Sequence, residues 1–395
     1  MLTKALGREP VNAPILQFGT SRFLLAHAAL FVSEALARGA AIGGITIVQT
    51  TQSASSRARI AALKDSHGYP VHVRGYDAGS VVDRVIRCHA VQDALVAGDD
   101  WPLIRRAFVD HVRVVVSNTS DAGYRLHDQD SSEGVEDEAC VPHSFPAKLL
   151  ALLHARWRER PEAGVTVFPC ELVQDNGDTL RDIVAGLAGQ WSLPASFIDY
   201  MRNQCVWVNS LVDRIVSQAI EPVGAVAEPY ALWAIERRPG MELPCTHDQI
   251  VVTDDLRRFE RLKLFFLNLG HTWLAEGWLR EQRDPSQTVF DAMNDPLVRN
   301  ALESVWYEEV LPVFRSLGSE DEAARYIDSV RDRFLNPFLG HRIADIAVNH
   351  EEKVRRRILP FLELAASQSP SEEQPRLRSV LKAHGIEIDT TASSL

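Results

Sequence analysis

A short apolar run that ends in glycine and passes straight into a helical pattern constrains this chain more than any other stretch. Ala13-Pro-Ile-Leu-Gln-Phe18 reads as a buried strand, Gly19-Thr-Ser21-Arg-Phe23 as a tight turn, and Leu24-Leu-Ala-His-Ala-Ala-Leu-Phe-Val32 as the helix that follows. A dinucleotide-binding βαβ unit begins in this way. The pattern recurs. Ile45-Thr-Ile-Val-Gln-Thr50 ends in a polar loop, Gln52-Ser-Ala-Ser-Ser56; the β-branched run Val112 to Val116 ends in Ser117-Asn118-Thr119-Ser120; and Gly164-Val-Thr-Val-Phe-Pro-Cys170 precedes Glu171. Strands alternating with helical segments imply a mostly parallel sheet covered on both faces.

After about Pro244 the character changes, and from Asp254 helical periodicity runs almost to Gln374. A chain of 395 residues exceeds what one core usually serves. The expected organisation is therefore a Rossmann-like α/β domain over residues 1–246 and a mainly α-helical domain over 247–395, with the active site in a cleft. The acidic stretch Asp128 to Glu138 reads as an exposed, solvated loop, and the residues from Ser367 on as a polar linker, a short amphipathic piece and a frayed end. No internal repeat is visible.

A net charge of -11 argues against nucleic-acid binding, which needs a concentrated basic surface. No apolar run is long enough to span a bilayer, and the N-terminus lacks a signal-peptide core, so the expectation is a cytoplasmic protein with a small-molecule partner. Cys88, Cys140, Cys170, Cys205 and Cys245 are odd in number and contain no CxxC pair, which points to neither a disulfide framework nor a zinc knuckle.

Gly19 allows a tight turn after the first strand, and the next helix would offer free amides to a pyrophosphate. Ser21 stands where a second glycine is usual, which would require a strained or displaced backbone. No acid closes the second strand, and Arg57 and Arg59 lie just beyond it. An arginine there would accommodate a 2′-phosphate, or it would simply face solvent, so NAD and NADP both stay open. Asn118 and Thr119 either lie along the cofactor or close an Asx or ST turn.

Lys263-Leu-Phe-Phe-Leu-Asn268-Leu-Gly-His271 threads an amine, an amide and an imidazole through an apolar helix. Together these groups can move a proton and steady an alkoxide without a metal. At α-helical pitch Asn268 sits roughly 140° and His271 roughly 80° around from Lys263, a wide arc. Gly270 would end or bend the helix and turn Asn268 inward. The competing reading is a solvated lysine and two ordinary helix-end polar groups.

Several separated segments resemble one family, the polyol-specific long-chain dehydrogenases, which include mannitol dehydrogenase and the uronate reductases. They are Phe18-Gly-Thr-Ser-Arg-Phe23, Arg74-Gly75, Ser117-Asn-Thr-Ser120, Phe145-Pro-Ala-Lys148, Cys170-Glu-Leu-Val-Gln-Asp-Asn176-Gly177, Asn209-Ser-Leu-Val-Asp213-Arg214-Ile215 and Glu228-Pro-Tyr-Ala-Leu-Trp233. The resemblance implies zinc-independent hydride transfer between nicotinamide and a secondary alcohol or ketone. It makes Lys263 the general acid/base, has Asn268 and Asn176 hold the reacting oxygen, and has His271 orient substrate or lysine. Gly19, Ser21, Phe23, Asn118 and Thr119 would line the cofactor, and Asp213 the substrate, although a salt bridge to Arg214 is the plainer role for that carboxylate.

Asn336-Pro-Phe338-Leu-Gly-His341 through Asp345, Asn349, Lys353 and Arg357-Ile-Leu-Pro360 is similar to the uronate reductases in particular. Asp345 stands where mannitol-type members carry arginine, while Lys353 matches their lysine. That pattern implies a sugar acid, altronate-like with a tagaturonate-like ketone, whose carboxylate would meet Lys353 or a nearby arginine. Arg355, Arg356 and Arg357 otherwise read as a solvated basic helix face. The alternatives are fructuronate, a neutral polyol such as mannitol or arabinitol, or a non-catalytic dinucleotide sensor. Either a monomer or a small homo-oligomer fits the residues.

Overall fold

The computed structural model describes residues 9–51, 54–64, 67–119 and 123–388. Gln52, Ser53 and Ser120 lie outside the described residues, as do the two chain ends. The chain forms two compact units. Met1–His72, Arg84–Ala227 and Ala231–Leu256 make the first, and Val73–Asp83, Glu228–Tyr230 and Arg257–Leu395 the second.

Six strands build the main sheet of the first unit: β1 (Ile15–Phe18), β2 (Ile45–Gln49), β3 (Val91–Val96), β4 (Val114–Ser117), β5 (Thr166–Pro169) and β6 (Val206–Trp207). Their order is β3-β2-β1-β4-β5-β6, and every pairing is parallel. β1, β2, β4 and β5 are buried at every residue, so their sequences are near-continuous apolar runs rather than alternating ones. In register, Phe18 faces Val48 on one side and Ser117 on the other, so β1 and β4 end together where the strand order reverses. Ligands of open α/β sheets bind at such a switch point.

The helix expected after β1 is interrupted. α1 (Arg22–Leu25) is a single turn, His27 departs from helical geometry at φ -125°, ψ -97°, and α2 (Ala28–Leu36) then resumes. The imidazole supplies the reason: His27 Nε2 bonds to the Leu232 carbonyl at 3.0 Å, and its ring stacks on Phe23. α3 (Asn176–Gln190) follows β5. A three-stranded sheet of Ser210–Asp213, Leu232–Glu236 and Ile250–Thr253 lies in the same unit, as does the antiparallel pair Val216–Ala219 and Ala225–Ala227. The acidic stretch is less solvated than its composition implies. Asp130 accepts the His143 and Ser144 N–H groups at 2.7 and 3.2 Å, and Val135 is buried in the core.

The second unit is helical around a core that includes Phe266, Trp306, Phe314, Phe334 and Phe361. Two of its turns are π-helical, π1 (Lys263–Asn268) and π2 (Val305–Val310). A π turn carries one residue more than an α turn and spans five residues with each hydrogen bond. The two support each other, since Trp306 Nε1 of π2 donates to the Phe266 carbonyl of π1 at 3.2 Å. Gly270 does not end the helix. π1 runs directly into α4 (Leu269–Arg280), and a Cβ on Gly270 would stand 2.9 Å from the Trp306 ring, so close packing explains the glycine. α5 (His350–Arg357) and α6 (Pro375–Ala383) belong to the same unit.

Candidate active site

At the switch point Gly19 has φ +111°, and a Cβ there would lie 2.6 Å from the Asn118 carbonyl oxygen. The conformation and the close approach both demand glycine, leaving a cradle bare of side chain beside the ends of β1 and β4. Ser21 is not strained. Its φ of -63° and ψ of 145° are ordinary extended values, and its hydroxyl caps α1 by accepting the Leu24 N–H at 3.3 Å. Because α1 is one turn long, an anion held here would meet the amides of the turn rather than the dipole of a long helix. Phe23 is half-buried against His27. Of the two arginines after β2, Arg59 donates to the Thr20 carbonyl at 3.4 Å, while Arg57 makes an exposed ion pair with Asp99.

Asn118 and Thr119 are tied to the end of β5. Asn118 Nδ2 donates to the Cys170 carbonyl at 2.7 Å, and Thr119 gives both its N–H and its hydroxyl to Glu171 Oε1 at 2.9 and 3.0 Å. Ser117 Oγ donates to Glu171 Oε2 at 3.0 Å. Glu171 is a residue to which the sequence assigned no role. It is 2% exposed, and burial pushes its carboxyl above the usual range although four donors hold it. Tyr124 is the fourth donor, and its hydroxyl also reaches the Asn176 carbonyl at 3.0 Å. A glutamate directly behind an all-buried strand was the available signal for this hub.

Asn176 opens α3 and is 2% exposed. Its Nδ2 faces three carbonyls, those of Pro169 (3.1 Å), Glu171 (3.1 Å) and Ser210 (2.9 Å), and its Oδ1 accepts the Ser210 N–H at 2.9 Å. Two amide hydrogens thus serve three acceptors. Asp213 ends its strand, buried at 3% exposure, and the neighbouring Arg214 donates to the Ala26 carbonyl at 2.6 Å.

In the second unit π1 changes the geometry of the Lys263, Asn268 and His271 trio. One π turn places a residue and its fifth successor one above the other, so Lys263 and Asn268 share a face that α-helical pitch would deny them. Among the described residues the side-chain amide of Asn268 makes no hydrogen bond, whereas its carbonyl accepts from Thr272 Oγ1 at 3.0 Å and from Arg357 at 3.3 Å. His271 is 7% exposed, stacked on Phe334 at 4.4 Å and edge-on to His341 at 5.0 Å. Its Nε2 is buried without a partner among the described residues. Burial, with His341, Arg357, Arg333 and Lys353 nearby, holds this imidazole neutral, well below its usual pKa.

α5 sorts its basic residues. Arg355 and Arg356 pair with Glu351 and Glu352 one turn back in exposed i,i+4 bridges. Arg357 turns inward to Asn268 O and Thr272 Oγ1, meets no carboxylate among the described residues, and has its pKa lowered by burial. Lys353, one turn before it, donates to the Ile346 carbonyl at 2.7 Å and has its pKa lowered by burial and by Arg357. Asp345 is exposed and forms a two-point pair with Arg342. Behind His271 and Phe334, Arg333 makes a buried two-point bridge to Glu228 and covers the Tyr230 ring at 4.4 Å. Asn336 donates to the Arg74 carbonyl, and the Arg74 guanidinium lies 4.0 Å over Phe338, which explains why Arg74-Gly75 and Asn336-Pro-Phe338 occur together.

A parallel sheet in this order with a glycine cradle at its switch point, and a helical unit presenting a lysine with amide and imidazole, define a dinucleotide-dependent dehydrogenase. The chain belongs to the mannitol dehydrogenase family: the family's Rossmann domain matches residues 13–243 and its C-terminal domain residues 255–375. It is an enzyme of the dehydrogenase/reductase class acting on CH–OH groups.

Among curated relatives, the altronate oxidoreductase of Klebsiella pneumoniae (strain 342) is 30% identical over 338 residues, covering 80% of this chain and 68% of that one. That of Enterobacter sp. (strain 638) is 32% identical over 293 residues, covering 69% of this chain and 58% of that one. The same fold appears in a D-sorbitol dehydrogenase, with TM-score 0.76, 22% identity, and coverage of 92% of this chain and 77% of that one. It also appears in the mannitol 2-dehydrogenase of Pseudomonas fluorescens, with TM-score 0.68, 18% identity, and coverage of 96% and 79%. No described helix is long and apolar enough to cross a membrane.

Proposed function

We propose that this chain interconverts a sugar acid of the altronate type and its keto-uronate of the tagaturonate type, with Lys263 as general acid/base and no metal in the reaction. A bound nicotinamide dinucleotide would supply the hydride acceptor or donor, and the bare Gly19 turn fits such a group. The observation that carries the reading is the π turn, which puts Lys263 on one face with Asn268, whose side-chain amide makes no hydrogen bond among the described residues, in the chain segment that carries His271.

In the oxidising direction the neutral Lys263 amine takes the hydroxyl proton as the carbon gives up its hydride. The Asn268 amide donates to the oxygen while it carries charge. Neutral His271 uses its open Nε2 to fix a neighbouring hydroxyl. Asn176 joins by yielding one of its three shared bonds to the more basic alkoxide, and Asp213 takes a further sugar hydroxyl. Arg357 and Lys353, two cations lacking a buried counter-charge, receive the substrate carboxylate, a charge-assisted contact that a neutral polyol cannot make. The relatives named altronate oxidoreductases support this substrate class.

NAD(H) is the proposed cofactor. Arg59, bonded at the Gly19 turn, is the observation that keeps NADP(H) as the second reading. Altronate, tagaturonate, fructuronate, mannitol and arabinitol should be assayed with both cofactors. The altronate–tagaturonate pair is expected to exceed mannitol in kcat/KM by at least about a hundredfold, the scale of one charge-assisted contact. Turnover confined to mannitol would overturn the sugar-acid assignment.

A further inference from the structure

Glu276 near the end of α4, His350 at the start of α5 and His384 just beyond α6 converge at one point. Each imidazole Nε2 lies 2.8 Å from the same carboxylate oxygen, Glu276 Oε2, and the three candidate ligand atoms lie within 4.8 Å of one another. They come from segments 74 and 108 residues apart, so the chain has folded three separate elements onto one spot. No other group of three histidine, cysteine or acidic side chains meets in this way among the described residues.

We propose that Glu276, His350 and His384 form a binding site for a divalent transition-metal ion of the zinc type, separate from the residues assigned to hydride transfer. Two imidazoles and one carboxylate are a donor set that suits zinc, cobalt and nickel, whereas calcium and magnesium call for oxygen alone. Tetrahedral coordination at zinc distances needs ligand atoms about 3.3 Å apart. The two 2.8 Å contacts open to that by a shift of about half an ångström in the Glu276 side chain, and the two imidazole nitrogens, within 4.8 Å of each other, come to the same spacing by side-chain rotation. Access is graded: the His350 side chain is 6% exposed, Glu276 13% and His384 23%, so an ion enters from the His384 side.

Binding replaces the two Nε2–H···O bonds with Nε2–metal and O–metal bonds. On each ring the proton moves from Nε2 to Nδ1, with no change in oxidation state. His350 Nδ1 is buried without a partner, so no second hydrogen bond opposes that tautomer. The ion would fasten the last helix, α6, to α4 and α5, the helices that carry His271, Lys353 and Arg357. Its role is therefore structural.

The full-length protein, stripped with chelator and dialysed, should be titrated with ZnCl2 and, separately, CoCl2. Expected are one equivalent bound by elemental analysis, a cobalt absorption spectrum of the tetrahedral kind, and a rise in Tm of about 5 °C at a hundredfold excess over Kd. His384→Ala and Glu276→Gln should each weaken binding by at least about tenfold, and Glu276→Gln keeps the hydrogen-bonding shape should the other variant fold poorly. Sub-stoichiometric zinc with no change in Tm, or wild-type affinity in both variants, would overturn the site. Turnover at 25 °C is a separate readout. Activity lost to the chelator and restored by zinc in the wild type and equally in His384→Ala counts against the Lys263 mechanism and leaves the binding result standing, whereas zinc dependence confined to the wild type is the structural site acting through α4 and α5.

Discussion

Asn176 in the first unit and Asn268 in the second differ in what their amides already hold. Asn176 is bonded to three carbonyls and one N–H, whereas the Asn268 side chain is bonded to nothing among the described residues. The same contrast runs through their surroundings. Four donors surround Glu171, while among the described residues His271 Nε2 lies buried without a partner and Arg357 without a counter-ion. An unmade hydrogen bond in a folded interior is destabilising, so where one persists a ligand is the natural partner. At these positions the first unit uses its polar groups to hold backbone in place, and the second keeps them available.

The largest effect that would break this contrast is at Lys263. Lys263→Ala should lower kcat by about a thousandfold or more while cofactor affinity, read by fluorescence titration, and Tm stay near wild type. A variant retaining near wild-type kcat removes Lys263 as the base. Asn176→Ala should unfold more easily by about 2–4 kcal/mol in urea, because four buried backbone groups lose their partner. Asn268→Ala should shift stability by less than about 0.5 kcal/mol and show its loss in kcat instead. Equal stability costs at the two positions would erase the distinction between them.

Arg357→Met should raise KM for the sugar acid by about ten- to a hundredfold with little change in kcat, an effect measured by initial rates. An unchanged KM would move the carboxylate contact elsewhere. The smallest effect concerns Lys148, which lies in the first unit at 3% exposure, bonds the His143 carbonyl at 2.5 Å and has its pKa pushed down to about 8 by burial. Its folded pKa lies below the unfolded value near 10.4, so between these limits the unfolded chain binds more protons and stability rises with pH. From pH 8 to 9.5 the wild type should gain on the order of 1–2 kcal/mol relative to Lys148→Met. Parallel pH profiles for the two proteins would show that the amine is better solvated than its position implies.

The strands of the main sheet were legible because strands buried on both faces must be apolar throughout, as Ile45 to Val48 and Val114 to Val116 are. The break at His27 was not, because it depends on a carbonyl 205 residues away. Lys263, Asn268 and His271 could be named from the sequence, but their common face could not, since periodicity assumes α pitch and nothing in Leu264 to Leu267 marks a π turn.

Some signals were present and unused. Arg333 lies seven residues after the buried Tyr326, at the edge of the apolar stripe that includes Ala323, Ile327 and Val330, which turns it inward. Arg355 and Arg356 each have a glutamate four residues earlier, but the residue four before Arg357 is Lys353, so no helical partner keeps Arg357 at the surface.

The surplus residue in π1 works like a frame setting for everything that precedes it. Deleting any one residue between Leu264 and Leu267 would make Lys263 and Asn268 an i,i+4 pair, about 40° apart at α pitch, so the π turn gives a five-residue spacing the common face that an ordinary helix gives to four. All members of the trio would survive in the sequence, and the pair would still share a face. For this stretch, the number of residues is as informative as their identity: five-residue spacing needs the π turn to bring the amine and the amide together, and a one-residue gap in a relative here would mark an ordinary α turn holding the same pair.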